Sequence, residues 1–347
     1  MQRRTGVPGL AIVVVHADRV AFLRGYGVRR VGEPVAVDAD TVFQLASLSK
    51  PIASTVVAGL EGDGRVGWDD PVLRTLPAAR IGPPAIAADV TIRDLLAHRS
   101  GLPDHADYGY TNFGFTAGAV AAANRASLHV SEGGRWVPYY QRDADAQAPA
   151  GGVSSSVRDL GQWLRLQLAG GRLDGRALVD AAALAETHRP QSISQPPRDP
   201  ATDRGTVQLS HSGAFDLGAA TAVYLLPAKS SGIAVLSNGR PLGVPEALSL
   251  SFLDLATSGA VQRDYLAALR PPGHGTAVLP HGGHPGPAAA GPSRRRRRLR
   301  LRRPGRGGAH PRGPCPAAGS PAQLLPPHPR ERRCLPLPAR RRERRRL

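Results

Sequence analysis

Extended, β-branched segments stand near both ends of the first 270 residues, and helical patterns fill the stretch between them. Leu10 to His16 is a continuous apolar run, and Val20 to Gly27 follows after a short Ala-Asp-Arg turn. Together they read as a hairpin with one well-buried strand. A second hairpin is predicted from Thr221 to Leu226 and Ile233 to Ser237, around a turn at Pro227 to Gly232. Between the hairpins, Ser47 to Glu61 carries apolar residues at Leu48, Ile52, Ala53, Val56, Val57 and Leu60. Their i, i+4 spacing predicts a buried helix that the glycines at 62 and 64 end. Pro51 is tolerable only in the first turn, which sets the start close to Ser47. Thr91-Ile-Arg-Asp94 and Ser156-Val-Arg-Asp159 are capping-box-like starts to two further helices. Pro245 opens a last helix that Gly259 closes. Strands at the ends with helices in between favour an α+β fold, an antiparallel sheet with a helical lobe, over alternating βαβ units.

The 347 residues carry a formal net charge of +18, which taken whole points to nucleic acid or an anionic membrane. The distribution removes that reading. Residues 271–347 hold 19 of the 45 basic residues and two of the 27 acidic ones, Glu331 and Glu343. What precedes them is nearly neutral, with 26 basic and 25 acidic residues. The same segment has 16 of the 33 prolines, 11 glycines and no Phe, Tyr or Trp, too little apolar surface to offset chain entropy. The expected organisation is a globular domain over 1–268 and a disordered Arg/Pro/Gly-rich tail over 269–347. The run Arg294 to Arg298 reads as an anionic-polymer patch, yet the Arg, Pro, Gly, Ala and His mixture is also what GC-rich DNA read out of frame yields. A specific nucleic-acid partner is not expected.

No apolar run approaches the ~20 residues of a membrane-spanning helix. The residues before Leu10 build no signal peptide, so a cytoplasmic location is expected from the chain as written. Both cysteines, Cys315 and Cys334, lie in the tail, so the globular part needs no disulfide. Lysine is scarce: beside 43 Arg stand only Lys50 and Lys229. Arg cannot be deprotonated, whereas a buried Lys can be, so a retained lysine raises a question of chemistry.

Three short motifs carry that chemistry. In Ser47-Leu-Ser-Lys50, residues three apart near a helix start share a face, so the Ser47 hydroxyl and Lys50 amine can meet. A desolvated Lys can take the serine's proton, and the helix start offers the Ser47 N–H to an oxyanion. Alone the pattern also arises as a capping serine beside a surface lysine. Tyr110-Thr-Asn112 offers a phenol that relays protons and an amide that holds a carbonyl, though it is also ordinary loop composition. His211-Ser-Gly213 follows the extended stretch Val207 to Leu209. There a glycine allows close approach to the backbone, and the Ala214 N–H can complete an oxyanion hole with that of Ser47. A lone His at a strand end is, by itself, more often structural.

In this order, the three motifs resemble those of the class C β-lactamase, D-Ala-D-Ala carboxypeptidase and esterase superfamily of penicillin-recognising serine hydrolases. Phe43-Gln-Leu-Ala-Ser-Leu-Ser-Lys50, Thr91-Ile-Arg-Asp-Leu-Leu-Ala-His-Arg-Ser-Gly-Leu-Pro103, Tyr110-Thr-Asn-Phe-Gly114 and Pro149-Ala-Gly-Gly-Val-Ser-Ser155 extend the likeness from about residue 6 to 260. The resemblance implies a β-lactamase/transpeptidase-like fold with the site between sheet and helical lobe. It implies that Ser47 is the acylated nucleophile, Lys50 its proton acceptor and Tyr110 a partner in acid–base work. It places Asn112, His211, Gly213 and Ala214 against substrate, a small ester, D-amino-acid amide or β-lactam, with no cofactor or metal. His211 stands where lactamases of this group carry Lys, and a neutral His grips a β-lactam carboxylate less well, which tilts the reading toward ester or D-amino-acid peptide substrates.

Three stretches are shorter than the family's usual pattern: Asp104 to Gly109, Ala126 to Trp136 and the region around Asp203 to Thr206. A reduced helical lobe is therefore expected, and a catalytically impaired binding protein is the alternative to a working hydrolase. Family members are often exported, so a periplasmic or secreted location follows if the natural start lies upstream.

Overall fold

The computed structural model describes residues 1–77, 87–100, 123–140, 148–191 and 206–269, all within one compact unit, Met1–His281. Tyr110, Asn112 and the Arg-rich tail lie outside the described residues.

After a single helical turn, α1 (Gln2–Thr5), the chain enters β1 (Gly9–His16) and β2 (Arg19–Gly27), the first predicted hairpin. The second predicted hairpin is β10 (Ala219–Leu226) and β11 (Ser231–Ser237), and β9 (Leu209–Phe215) pairs with β10 ahead of it. These strands make a five-stranded sheet in the order β2-β1-β11-β10-β9. The first and last hairpins are joined by antiparallel pairing of β1 with β11, from Leu10↔Ser237 to His16↔Ser231. The continuous apolar run of β1 is explained by its central place, with neighbours on both sides and both faces covered.

One face of the sheet presents Ala11, Val13, Val223, Leu225 and Leu236 to Val157, Leu160 and Leu164. Those three belong to α5 (Val157–Leu168), which Ser156 caps by accepting the Asp159 N–H at 3.2 Å. A Cβ on Gly161 would sit 3.0 Å from Val13 Cγ2, so the absent side chain lets α5 lie close on the strand. The opposite face buries Leu10, Ile233 and Val235 against Leu248 and Phe252 of α7 (Val244–Ser258). Helix, sheet and helix form three layers, as α+β packing requires.

The Ser47–Glu61 prediction resolves into a 3₁₀ turn, Ala46–Leu48, running into α2 (Ser49–Gly62). Its buried stripe differs from the apolar one expected. Val56 is 54% exposed, whereas Ser49, Thr55 and Ala58 are buried. The reason is close approach and hydrogen bonding. Thr55 Oγ1 accepts from Trp163 Nε1 at 3.1 Å and Gln167 Nε2 at 2.8 Å. A Cβ on Gly62 would lie 2.5 Å from that of Asp180, which caps α6 (Ala181–Thr187).

The other described helices are short: α3 (Val72–Thr75), α4 (Ile92–Leu96) with its full Thr91/Asp94 capping box, and α8 (Tyr265–Ala268). Small ladders β3 (Phe43–Gln44) with β6 (Ser154–Ser155), and β7 (Arg172–Leu173) with β8 (Arg176–Ala177), pin loops.

Where Ala126 to Trp136 looked merely shortened, the chain forms a hairpin, β4 (Leu128–Glu132) and β5 (Arg135–Tyr140). Gly133 and Gly134 both have positive φ, +53° and +78°, at its turn. Among the described residues no helix is long and apolar enough to cross a membrane.

Candidate active site

Ser47 and Lys50 come together as their spacing implies. Lys50 Nζ donates to Ser47 Oγ at 3.0 Å and to the Ala150 carbonyl at 3.1 Å. Half-burial pushes the Lys50 amine below the usual lysine range, because a desolvated ammonium loses hydration that these contacts only partly replace.

The turn that presents Ser47 is held from two sides. Toward the helical side, the Leu45 N–H donates to the Val153 carbonyl at 2.9 Å, and the Val153 N–H donates to Ser49 Oγ at 3.0 Å. Ala150 and Val153 belong to the Pro149–Ser155 stretch singled out in the sequence. Toward the sheet, Thr221 Oγ1 donates to the Leu45 carbonyl at 2.8 Å. Ala46, directly before the serine, is buried and has φ +50°, a left-handed conformation uncommon for an L-residue with a side chain.

His211 and Gly213 lie inside β9, not beyond the strand's end as the sequence suggested. The strand runs through the polar Ser-His-Ser-Gly segment because its pairing with β10, from Leu209↔Leu225 to Phe215↔Ala219, needs only backbone groups. A Cβ on Gly213 would fall 2.3 Å from the Leu45 carbonyl oxygen and 2.8 Å from the Leu48 nitrogen, so only glycine lets β9 reach the Ser47 turn. His211 Nδ1 donates to the Ser212 carbonyl at 2.8 Å, which fixes the proton on Nδ1 when the ring is neutral. Burial pushes its pKa down. The bond to Ser212 opposes that, and the Lys50 and His98 charges add to it.

Glu246, in the first turn of α7, is a titratable neighbour that sequence reasoning missed. Burial raises its carboxyl pKa, while bonds from its own N–H and the Ser212 hydroxyl pull it back. Its position two residues into a Pro-started helix after Gly243 was the available signal. A separate cavity of about 80 Å³ lies further along α2, among Ser54, Trp68, Arg93 and Glu186. Arg93 is bridged there to both Asp69 and Glu186, so its charge is balanced internally.

The β-lactamase family model matches residues 1–136 and 106–256, most of the chain. This chain belongs to the β-lactamase family. Membership places it in the superfamily of penicillin-recognising serine hydrolases, and the antiparallel sheet flanked by helices is the β-lactamase/transpeptidase-like fold. Among solved structures, it is similar to the octameric penicillin-binding protein homologue from Pyrococcus abyssi. That match has a TM-score of 0.58 at 18% identity and covers 76% of each chain.

Among curated relatives, it is 30% identical over 127 residues to the unguisins hydrolase of Aspergillus violaceofuscus (strain CBS 115571), covering 35% of this chain and 21% of that one. It is 33% identical over 102 residues to penicillin-binding protein 4* of Bacillus subtilis (strain 168), covering 29% and 21%. This β-lactamase-family chain therefore matches only about a fifth of the length of those relatives.

Proposed function

We propose that this protein hydrolyses small esters or D-amino-acid amides through an acyl-enzyme on Ser47. The observation that carries the reading is the 3.0 Å contact between Lys50 Nζ and Ser47 Oγ, made by an amine whose burial favours its neutral form. A neutral Nζ accepts the hydroxyl proton as Oγ attacks the substrate carbonyl carbon, and the carbonyl π electrons move to oxygen. The oxyanion is received by the Ser47 and Ala214 N–H groups. Collapse expels the alkoxide or amine, which takes a proton through Lys50 and Tyr110. Water then attacks the acyl-enzyme by the reverse proton route, releasing acid and free Ser47. Asn112 and His211 hold the substrate.

His211 supports a preference within this class. Its ring is kept neutral by burial. A neutral ring offers no fixed cation to the carboxylate of a β-lactam, so uncharged esters and amides suit the site better. β-Lactams remain substrates, turned over more slowly.

The test pairs a chromogenic short-chain ester with a chromogenic cephalosporin on the wild type and Ser47→Ala. The ester is expected to turn over faster than the cephalosporin, and both activities to vanish in the variant. An activated fluorophosphonate is expected to label Ser47. Absence of both turnover and labelling would leave a binding protein with this family's fold.

A further inference from the structure

Ala46 sits in the left-handed region with its side chain fully buried, and its two flanking peptide planes are each gripped by a buried hydroxyl. On one side Thr221 Oγ1 donates to the Leu45 carbonyl at 2.8 Å. On the other, Ser49 Oγ donates to the Ala46 carbonyl at 2.6 Å while it accepts the Val153 N–H at 3.0 Å. Ser49 and Thr221 are both 0% exposed. The Ser49 bond is the i to i−3 hydroxyl bond serines often make in a first helical turn, here completed from outside the helix by the Val153 N–H, and Thr221 comes from the sheet.

Peptide planarity turns these grips into aim. In a trans peptide the C=O and N–H point in opposite directions. The Ala46 carbonyl and the Ser47 N–H belong to one peptide, so the Ser49 hydroxyl sets where the Ser47 N–H points. Thr221 Oγ1 also lies 3.3 Å from the Gly213 carbonyl, whose peptide carries the Ala214 N–H on its other side. The Ser49 hydroxyl thus holds the Ser47 peptide, while the Thr221 hydroxyl, whose one proton goes to Leu45, fastens the turn to the residue paired with Gly213, just before the Ala214 N–H.

We propose that Ser49 and Thr221 are positioning residues whose buried hydroxyls hold the left-handed turn at Ala46 and aim the Ser47 and Ala214 N–H groups at one developing oxyanion. The proposal rests on the hydrolase reading above, and neither residue touches substrate. Donors of this kind help the reaction only when they point to where charge develops, so their loss of aim falls on the transition state.

The experiment compares the wild type with Ser49→Ala, Thr221→Val and Ser49→Ala/Ala46→Gly, using a chromogenic ester and its thiono counterpart. Each variant is first checked for cooperative unfolding, and Ser49→Cys replaces the alanine variant if that one does not fold. Each single variant is expected to lose about ten- to a hundredfold in kcat with KM nearly unchanged. The preference for the oxo ester is expected to shrink, because a thiocarbonyl depends less on N–H donors. Glycine at 46 is expected to recover part of the Ser49→Ala loss, since it adopts positive φ without help. Wild-type kcat in both folded single variants, a loss confined to KM, or an unchanged oxo preference overturns the proposal.

A crystal structure of Ser49→Ala (or of Ser49→Cys) decides the geometry without reference to activity. Ala46 relaxing to negative φ upholds the proposal, and Ala46 staying left-handed overturns it. If the wild type neither hydrolyses ester nor reacts with fluorophosphonate, the hydrolase reading falls by itself, and the φ of Ala46 in the variant crystal still decides whether Ser49 holds the turn.

Discussion

Gly213 approaches Leu45 so closely that a Cβ on the glycine would lie 2.3 Å from the leucine's carbonyl oxygen. The atom it would meet is backbone, and that backbone is already tied to Thr221 and Val153. Nothing flexible is present to give way. Gly213→Ala is expected to push β9 off the Ser47 turn, with a destabilisation of about 1–3 kcal/mol. The displacement is expected to lower kcat/KM by about a hundredfold or more. Ester kinetics and a urea titration on the same preparation check both figures, and full activity would show that β9 and the turn move independently.

Lys50 makes a prediction about pH. Its amine is held below the usual lysine range by burial, and only the neutral form accepts the Ser47 proton. Activity is therefore expected to rise with pH through that lowered pKa, on the acid side of the kcat/KM profile. Lys50→Arg keeps the charge and removes the titration, because a guanidinium does not deprotonate. Its activity is expected to fall about 10²–10⁴-fold where the wild-type amine is neutral, and to lose the rise with pH. A Lys50→Arg enzyme with the wild-type profile would assign the base to another residue.

What the sequence disclosed, and what it hid, follows from range. The Ser47–Lys50 contact was legible because it is an i, i+3 relation inside one helix start. The capped helices and the two sheet hairpins were legible from local punctuation at Thr91, Ser156, Pro245 and Gly259. The extension of β9 through His211 was not, since polar residues there are held by a ladder to β10 that no local pattern reveals. Ala46 and Ser49 stayed silent, and Glu246 gave only its place after Pro245, for a related reason. Their strain, burial and shifted titration are set by tertiary neighbours such as Val153 and Ser212, which lie far from them in the chain. The β4–β5 hairpin was readable in principle, because Gly133-Gly134 between His-Val-Ser-Glu and Arg-Trp-Val is a turn signal flanked by strand-like residues.

Thr55 anchors the helix that carries Lys50. Its hydroxyl accepts from Trp163 and Gln167 and donates to the Pro51 carbonyl at 2.8 Å, and Gln167 Oε1 in turn accepts from His188 Nε2 at 2.8 Å. Thr55→Val keeps the shape and strands one buried donor, Gln167 Nε2, and one half-buried donor, Trp163 Nε1. The expected cost is about 1–3 kcal/mol, visible in the urea midpoint. In the Gln167→Leu background the same substitution is expected to cost less, because one stranded donor is gone. Equal costs in the two backgrounds would mean that the hydroxyl does not support Gln167.

His129 gives the stability of the fold a pH dependence of known sign. The buried ring donates from Nδ1 to the Asn238 carbonyl at 3.1 Å and accepts the Val31 N–H on Nε2 at 3.0 Å. A carbonyl can only accept and an N–H can only donate, so the ring is neutral, and protonation would break the Val31 bond. Burial lowers its pKa, opposed by backbone bonds involving Asn238 and Ser127 and aided by the Arg30 charge. The unfolded chain titrates near the ordinary value of about 6.5. Between that value and the lower folded one, the unfolded state binds more protons, so stability is complete above about 6.5 and is lost as pH falls. One such proton contributes a slope of at most about 1.4 kcal/mol per pH unit. His129→Gln keeps a donor and an acceptor but does not titrate. It is expected to be less stable than the wild type at pH 8 and to show a shallower decline toward pH 5. His188 and His211 are also lowered by burial, so the difference between the two curves, and not either slope alone, isolates His129. Parallel curves from urea titrations across that range would show that His129 is protonated as easily in the folded protein as in the unfolded chain.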